Sequence, residues 1–321
     1  MSTILITGGT GLIGSALAVK LIAEGHHVVT LTRKKGKVEQ RLAGLCEEAI
    51  WDINSRQVDE VAIAKADYII HLAGAGISEK RWTDKRKKII RDSRIKSSEL
   101  IAHALHVIPN KIRAVVSASA VGWYGPDIAS SAGKSFNETA APGNDFLGET
   151  CRLWEQSIGE VARQGTRLVI VRTGIVLDNK GGALPEFRKS LKLGIAAILG
   201  SGKQMISWIH IDDLCRIYLK AIDDENMIGT FNAVAPAPVS NRSLTLELAR
   251  RVRGPNFLAV HVPAFALRII FGEMSIEVLK SCSVSAEKIM AKGFRFLYPD
   301  IESALNALLR RPRGSGSARD E

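Results

Sequence analysis

The stretch ILITGGTGLIGSAL at 4–17 sets Gly8, Gly9, Gly11 and Gly14 between an apolar run and an apolar-periodic one. Two spacings are satisfied together, Gly9-x-Gly11-x-x-Gly14 and Gly8-x-x-Gly11-x-x-Gly14. In such a loop one glycine makes a tight turn and another lets a pyrophosphate reach the backbone. A third lets the helix pack on the strand. The helix that follows then turns free N–H groups toward the phosphates. A strand-like run precedes the loop and a second, HHVVTLT at 26–32, follows the helix, which is the context a dinucleotide cradle requires. Gly8, Thr10, Gly11, Leu12, Ile13 and Gly14 are the candidate pyrophosphate-binding residues.

The tip of that second strand selects the nucleotide. An Asp or Glu about 20 residues beyond the glycines would accept from the ribose 2′-OH of NAD. Here the chain reads Thr30-Leu31-Thr32-Arg33-Lys34-Lys35, with no acid. Arg33 offers a planar fork suited to a 2′-phosphate, and Thr32 offers a hydroxyl. NADP(H) is the expected cofactor; the other reading of the run is a plain basic loop. Arg94 is a further candidate for an anion. Ile90, Arg94, Ser97 and Ile101 recur at helical spacing, so Arg94 shares a face with apolar residues. A half-buried guanidinium needs a counter-charge, either a cofactor phosphate or a structural carboxylate.

The elements that would position these residues alternate. ILIT (4–7), HHVVTLT (26–32), YIIHLA (68–73), AVVSAS (114–119) and LVIVRT (168–173) are separated by helical patterns at about 12–24, 84–106 and 146–164. This predicts an α/β fold, a doubly wound parallel sheet with helices on both faces. After residue 175 the rhythm changes to a Gly-rich segment, 178–204. Another strand and helix, WIHIDDLCRIYLKAI, and then TFNAVAP follow it. The last residues read as a smaller α+β lobe with short strands LAVHVP and GFRFLYP and a final helix, DIESALNALLR. The expected division is 1–235 for the nucleotide-binding domain, 236–309 for the lobe, and a disordered tail, 310–321, without apolar content.

Composition narrows the class. The chain of 321 residues is 46 % apolar and 24 % charged, as in an ordinary globular protein. No run approaches about 18 apolar residues, so no membrane span is expected. Cys46, Cys151, Cys215 and Cys282 lie far apart without a CxxC, which argues against a metal site and a disulfide framework and fits a reducing cytoplasm. The net charge of +11 gathers at 33–37, at 80–96 and in the tail, with no interleaved aromatics. Anion handling and solvated surface explain it better than nucleic-acid binding.

TGGTGLIG at 7–14, WDI at 51–53, HLAG at 71–74, SASAVGWYG at 117–125 and VRTGIVL at 171–177 resemble the extended short-chain dehydrogenase/reductases. More narrowly, they resemble the NAD(P)-dependent epimerase/dehydratase family. GGALPEFRKSLKLGIAAILGSGKQMISWIHIDDL and GFRFLYPDIESAL are similar to its epimerase-like subgroup, whose members carry a small C-terminal domain of their own. The resemblance implies a Rossmann domain completed late in sequence, with a substrate lobe drawn from 178–206 and 236–309. It implies that Asp52 and Ile53 border the adenine, that Leu72, Ala73 and Gly74 pack along the cofactor, and that Val176 lies near the nicotinamide end. For the apolar ones plain core is the alternative.

The family's chemistry rests on a Ser or Thr that orients a carbonyl and on a Tyr-x-x-x-Lys pair, whose lysine lowers the tyrosine pKa. None of Tyr68, Tyr124, Tyr218 and Tyr298 has a lysine four residues later. In register with Glu155, Leu147 and Cys151 occupy the two positions. Ser119 and Tyr124 remain as catalytic candidates, Ser119 five residues before Tyr124 where the family usually shows four. Packing is the favoured role for Tyr124; Glu149 and Cys151 could reach the same site. His71 and His210, inside apolar runs, read as core histidines, and Asp212 and Asp213 as a helix cap and first turn. Two functions follow. One is an NADP(H)-dependent oxidoreductase or epimerase acting on a small, sugar-like substrate. The other is a nicotinamide-binding sensor that has lost turnover. No metal is called for, and this class admits a homodimer.

Overall fold

The computed structural model describes residues 1–34, 36, 44–127 and 135–309; the tail 310–321, and Lys35 and Lys37 of the basic run, lie outside them. Its first half alternates β1 (Thr3–Thr7), α1 (Leu12–Ala23), β2 (His27–Thr32), β3 (Glu47–Asp52), β4 (Gln57–Val58), α2 (Glu60–Lys65), β5 (Tyr68–His71), α3 (Asp84–Val107) and β6 (Ala114–Ala120). Then come α4 (Phe146–Ile158), α5 (Glu160–Arg163), β7 (Arg167–Thr173), β8 (Ile175–Leu177), α6 (Ala183–Leu191), β9 (Ile195–Leu199), β10 (Met205–Ile206) and β11 (Trp208–His210). The chain continues through α7 (Ile211–Asp223), β12 (Gly229–Ala233), β13 (Val239–Ser240), α8 (Asn241–Arg253), β14 (Leu258–Val262) and α9 (Ala264–Phe271). Short helices α10 (Ser275–Leu279) and α11 (Glu287–Ala291) precede α12 (Ile301–Leu309).

Among the described residues one sheet runs β12-β7-β6-β5-β1-β2-β3-β4, parallel except where β4 turns back on β3. The strand order reverses between β1 and β5, so a crevice opens beyond the carboxyl ends of these two strands. β1 is apolar through its centre because both its faces are covered. Ile4 and Ile6 join one core cluster and Leu5 joins another, as side chains alternate across a sheet. The helical pattern expected over 146–164 is broken into α4 and α5 at Gly159, whose N–H bonds the Glu155 carbonyl.

A third cluster unites Leu184, Leu191 and Ala196 with Leu244, Leu248 and Leu305, which joins the segment after β8 to the C-terminal part. Cys282, Val284, Ala286, Ile289 and Phe294 pack instead with the Rossmann core. GFRFLYP, expected as a strand, forms none. It is held by the buried Asp213 carboxylate, which accepts from the Leu297 and Tyr298 amides at 2.9 Å. Asp213 is thus a clasp for the C-terminal segment, and the cap of α7 is His210, whose Nδ1 accepts from Asp212 N at 3.0 Å.

Candidate active site

β1 ends in the glycine loop. Gly8 has φ +70°, the left-handed region, and a Cβ there would meet the Leu72 carbonyl carbon and oxygen at 2.9 Å. A Cβ on Gly14 would lie 2.3 Å from the Gly8 oxygen, so α1 can start this close to β1 only with glycine. Gly11 differs. Its backbone is extended (φ −80°, ψ 174°) and a Cβ would meet only the Gly8 oxygen, at 3.3 Å. It is exposed, at the mouth of the turn.

Gly11 caps α1 with no side-chain hydrogen bond, and the first turn has no acidic residue. The first intrahelical bond runs from Ser15 N to Gly11 O, and the amides of Leu12, Ile13 and Gly14 have no acceptor among the described residues. An uncapped helix start of this kind attracts an anion. On the far side of the crevice, Thr7 Oγ1 accepts from the Leu72 and Ala73 amides at 3.1 and 3.2 Å and bonds His71 Nδ1 at 2.8 Å. His71 is fully buried; its Nε2 lies 3.2 Å from Ser97 Oγ, and burial holds its pKa down at about 3. It is a satisfied core histidine that fixes the strand ends on either side of the switch point.

Arg33 is exposed at the tip of β2. Thr32, in contrast, is buried and its hydroxyl donates to Lys34 O at 3.0 Å, so that hydroxyl shapes the loop instead of facing a ligand. Asp52 is half-buried at the end of β3, with Oδ1 accepting from Asn54 N at 2.9 Å. Val176 is half-buried on β8 opposite Ile209. Leu12 reaches the same neighbourhood, since a Cβ on Gly181 would meet its side chain at 3.2 Å. Arg94 lies under Gly74, and its Nη1 donates to Ala75 O at 3.0 Å and Ile90 O at 2.9 Å. Its guanidinium carbon sits 5.0 Å from the Trp154 ring centroid. Burial pulls the Arg94 pKa below the guanidinium range, and no carboxylate among the described residues pairs with it.

At the ends of β6 and β7 the polar groups close on one another. Ser119 and Arg172 face each other in the ladder. Arg172 donates from Nε and Nη2 to the Glu155 carboxylate at 2.8 and 2.9 Å, and Ser119 Oγ donates to the same carboxylate at 2.6 Å. The third Arg172 nitrogen donates to Tyr124 OH at 3.0 Å, and that hydroxyl donates to Asn232 Oδ1 at 2.7 Å. The guanidinium also lies 3.7 Å from the Trp123 ring centroid. Burial alone would lower the Arg172 pKa, but Glu155 outweighs it and raises it. Burial pushes the Tyr124 phenol up to about 12. Tyr124 is fully buried and stacked on Phe136, and Ser119 is buried too. Neither hydroxyl has a free hydrogen to offer.

Residues 4–233 match the model of the NAD dependent epimerase/dehydratase family, and residues 262–308 match a domain of unknown function (DUF1731). The chain belongs to the NAD-dependent epimerase/dehydratase family. An epimerase family protein of Staphylococcus saprophyticus is 36 % identical over 310 residues, covering 96 % of this chain and all of that one. The epimerase family protein YfhF of Bacillus subtilis is 34 % identical, over 95 % of this chain and 97 % of its own. Among solved structures, the human epimerase family protein SDR39U1 (isoform 2) with NADPH superposes with a TM-score of 0.82 at 28 % identity, covering 95 % of this chain and 98 % of that one. A nucleoside-diphosphate sugar epimerase from Corynebacterium glutamicum gives 0.75 at 31 % identity, with 96 % of this chain against 58 % of that longer one.

The two positions that the resemblance assigns to the Tyr–Lys pair are packed shut. Leu147 and Cys151 are buried on α4, and a Cβ on Gly122 would meet Leu147 at 3.1 Å and Cys151 Sγ at 3.8 Å. Burial pushes the Cys151 thiol up to about 12; its Glu155 neighbour adds to this and Arg94 opposes it. Arg94 and Cys151 thus lie near enough to act on each other electrostatically. Ile90, one turn earlier on α3, packs with Leu147 and Trp82. The lobe reaches the same corner. Met274 packs on that cluster, and Lys280 Nζ pairs with Asp145 at 3.1 Å, at the start of α4, and with Glu277 at 2.8 Å. Arg172, Asn232 and Lys280 were not foreseen. An arginine inside LVIVRT was the readable signal, because a charge in an apolar strand must find a partner.

No helix among the described residues is long and apolar enough to cross a membrane. They contain no group of three or more His, Cys, Asp or Glu able to hold a metal ion, and all four cysteines are free thiols.

Proposed function

We propose that this chain is an NADP(H)-binding epimerase/oxidoreductase-like protein that acts on a small, sugar-like substrate without a Tyr–Lys pair. The observation that carries the reading is the uncapped start of α1 beside a β2 tip that bears Arg33 and no acid. The amides of Leu12, Ile13 and Gly14 would hold the pyrophosphate and Arg33 the 2′-phosphate, with Asp52 and Ile53 at the adenine. Leu72, Ala73 and Gly74 would line the cofactor, and Val176 would border its nicotinamide end. The human neighbour's NADPH supports this choice, and the sugar epimerase from Corynebacterium supports the substrate class. When bound, the nicotinamide supplies or accepts a hydride.

Within this reading Arg94, which pairs with no carboxylate among the described residues, is the cation for a phosphate of the cofactor. Ser119 and Tyr124 hold the strand ends in place. The test is NADPH consumption at 340 nm with a panel of carbonyl compounds and nucleotide sugars. Arg94→Gln is expected to lower kcat/KM by about 10- to 150-fold, the loss of one charge-assisted contact of ~1.5–3 kcal/mol. Tyr124→Phe should stay within a few-fold of the parent. A second reading, a nicotinamide-binding sensor, is favoured by the closed Ser119–Glu155–Arg172–Tyr124 network. Tight NADPH binding with no turnover on any compound would select it.

A further inference from the structure

The lobe carries an apolar surface that the nucleotide site does not use. β14 pairs with β9 in parallel, from Leu258 against Ile195 to Val262 against Leu199. By alternation Ile195, Ala197, Leu199, Leu258, Val260 and Val262 share one face of this ribbon. On the other face Ala196 and Ile198 are buried. β14 is exposed along nearly its whole length, with Leu258 66 % and Val260 38 % exposed. α9 adds Phe265 at 66 %, Ile269 at 69 % and Ile270 at 60 %, and Leu267 is the one buried residue of that helix. Leu193, 80 % exposed, stands at the other end of the ribbon, next to Gly194 whose carbonyl accepts from Leu258 N. Large exposed apolar side chains gathered on one strand and on the helix that follows it mark an interaction site.

β14 is also an open edge. Leu258 N bonds Gly194 O and Val262 O accepts from Gly200 N, so the even-numbered residues face β9. The amides and carbonyls of Ala259 and His261 point away and have no partner strand among the described residues. Exposed edges are normally guarded by a lysine, a proline or a bulge, and Leu-Ala-Val-His-Val contains none. A two-stranded sheet is marginal by itself. The tail RRPRGSGSARDE has no large apolar side chain with which to cover this face.

We propose that β14 pairs antiparallel with β14 of a second copy of this chain, on a two-fold axis through Val260. This register sets Ala259 of each chain against His261 of the other as hydrogen-bonded pairs, which satisfies the free backbone groups. Leu258 then faces Val262, and Val260 faces its own mate across a non-hydrogen-bonded pair with Cα atoms about 4.5 Å apart. The ribbon becomes four strands with one continuous apolar face. α9, which follows Val262 after Pro263, is carried past the second chain's Leu258 toward its Leu193. Each copy contributes Leu193, Leu258, Val260, Phe265, Ile269 and Ile270, each more than a third exposed. These supply much of the about 800 Å² per partner that a stable interface buries.

The register makes a sharp test in the full-length chain carrying Cys46→Ser, the other three cysteines being buried. Val260→Cys is expected to form a covalent dimer on mild oxidation, because its geometry is that of a disulfide, and Ala259→Cys is not. By analytical ultracentrifugation at tens of micromolar the parent should sediment at twice its 34.8 kDa mass. Val260→Lys should sediment at half the mass of the parent, with an unchanged circular dichroism spectrum. A monomeric parent overturns the proposal, as does a dimer that neither Val260→Lys dissociates nor Val260→Cys links. Binding of a monomeric parent to anionic phospholipid vesicles would assign the face to a membrane surface and equally overturn it.

Discussion

The carboxyl ends of β1 and β5 and those of β6 and β7 belong to one sheet, yet they treat polar groups in opposite ways. At β1 the amides of Leu12, Ile13 and Gly14 are donors without acceptors among the described residues, beside an exposed Gly11. At β6 and β7 every prominent donor is matched: Ser119 and Arg172 on Glu155, and Tyr124 on Asn232. A group left unpaired at a surface is held ready for a ligand, whereas a buried pair is held by the large cost of separating it. Among the described residues the end of β1 thus leaves backbone donors open to an anion, whereas at β6 and β7 the hydroxyls of Ser119 and Tyr124 are committed within the protein.

Three perturbations sharpen that contrast. The largest effect is expected at the open end. Gly11→Val is tolerated by the extended backbone at that position but fills the mouth of the turn. NADPH affinity should fall by at least about 1,000-fold, some 4 kcal/mol, with a near-native circular dichroism spectrum. Normal binding by this variant would mean that the loop is not the cradle. At the closed end Glu155→Ala leaves the Arg172 guanidinium buried without its carboxylate. A stability loss of about 3–5 kcal/mol is expected in urea unfolding. A loss below about 1 kcal/mol would show the network to be dispensable.

The third perturbation is pH. His71 titrates near 6.5 when unfolded and at about 3 when buried in the fold. The depressed folded value means that its stabilising contribution is complete above pH 6.5. As pH falls the unfolded chain takes up the proton first, so stability declines from about 6.5 until the folded value near 3 is reached. Between pH 7.5 and 5 the expected loss is about 2 kcal/mol, the slope reaching ~1.36 kcal/mol per unit once the unfolded histidine is protonated. His71→Gln should remove this part of the slope; an unchanged slope would refute the assignment.

The fold was largely legible because its signals are local. The glycine spacing, the apolar strand runs and the helical stretch 84–106 are read within a few residues, and α3 is found at Asp84–Val107. GFRFLYP misled because its apolar alternation looks like a strand. Its amides are taken by Asp213, 84 and 85 positions away, instead of by a neighbouring strand. Beyond the arginine in LVIVRT, the partners of the closed network were illegible for the same reason. Ser119 and Glu155 are 36 residues apart and Tyr124 and Asn232 are 108 apart, so no spacing rule links them. Thr32 was placed correctly on its strand, but whether its hydroxyl faced a ligand or Lys34 O depended on the loop's own turn. Arg94 was recognised as a cation on an apolar face. That it rests on two carbonyls and the Trp154 ring required the packing of α3 on α4.

Nucleotide selectivity distinguishes a 2′-phosphate site at Arg33 from a plain basic loop. Calorimetric titration of the same preparation with NADPH and with NADH, for the parent and for Arg33→Ala, isolates the contact that Arg33 is held to make. The parent should prefer NADPH by roughly 10- to 150-fold, the worth of a charge-assisted contact of about 1.5–3 kcal/mol, and Arg33→Ala should bring the two affinities together. Equal affinities in the parent, or a preference that survives Arg33→Ala, would contradict the 2′-phosphate site.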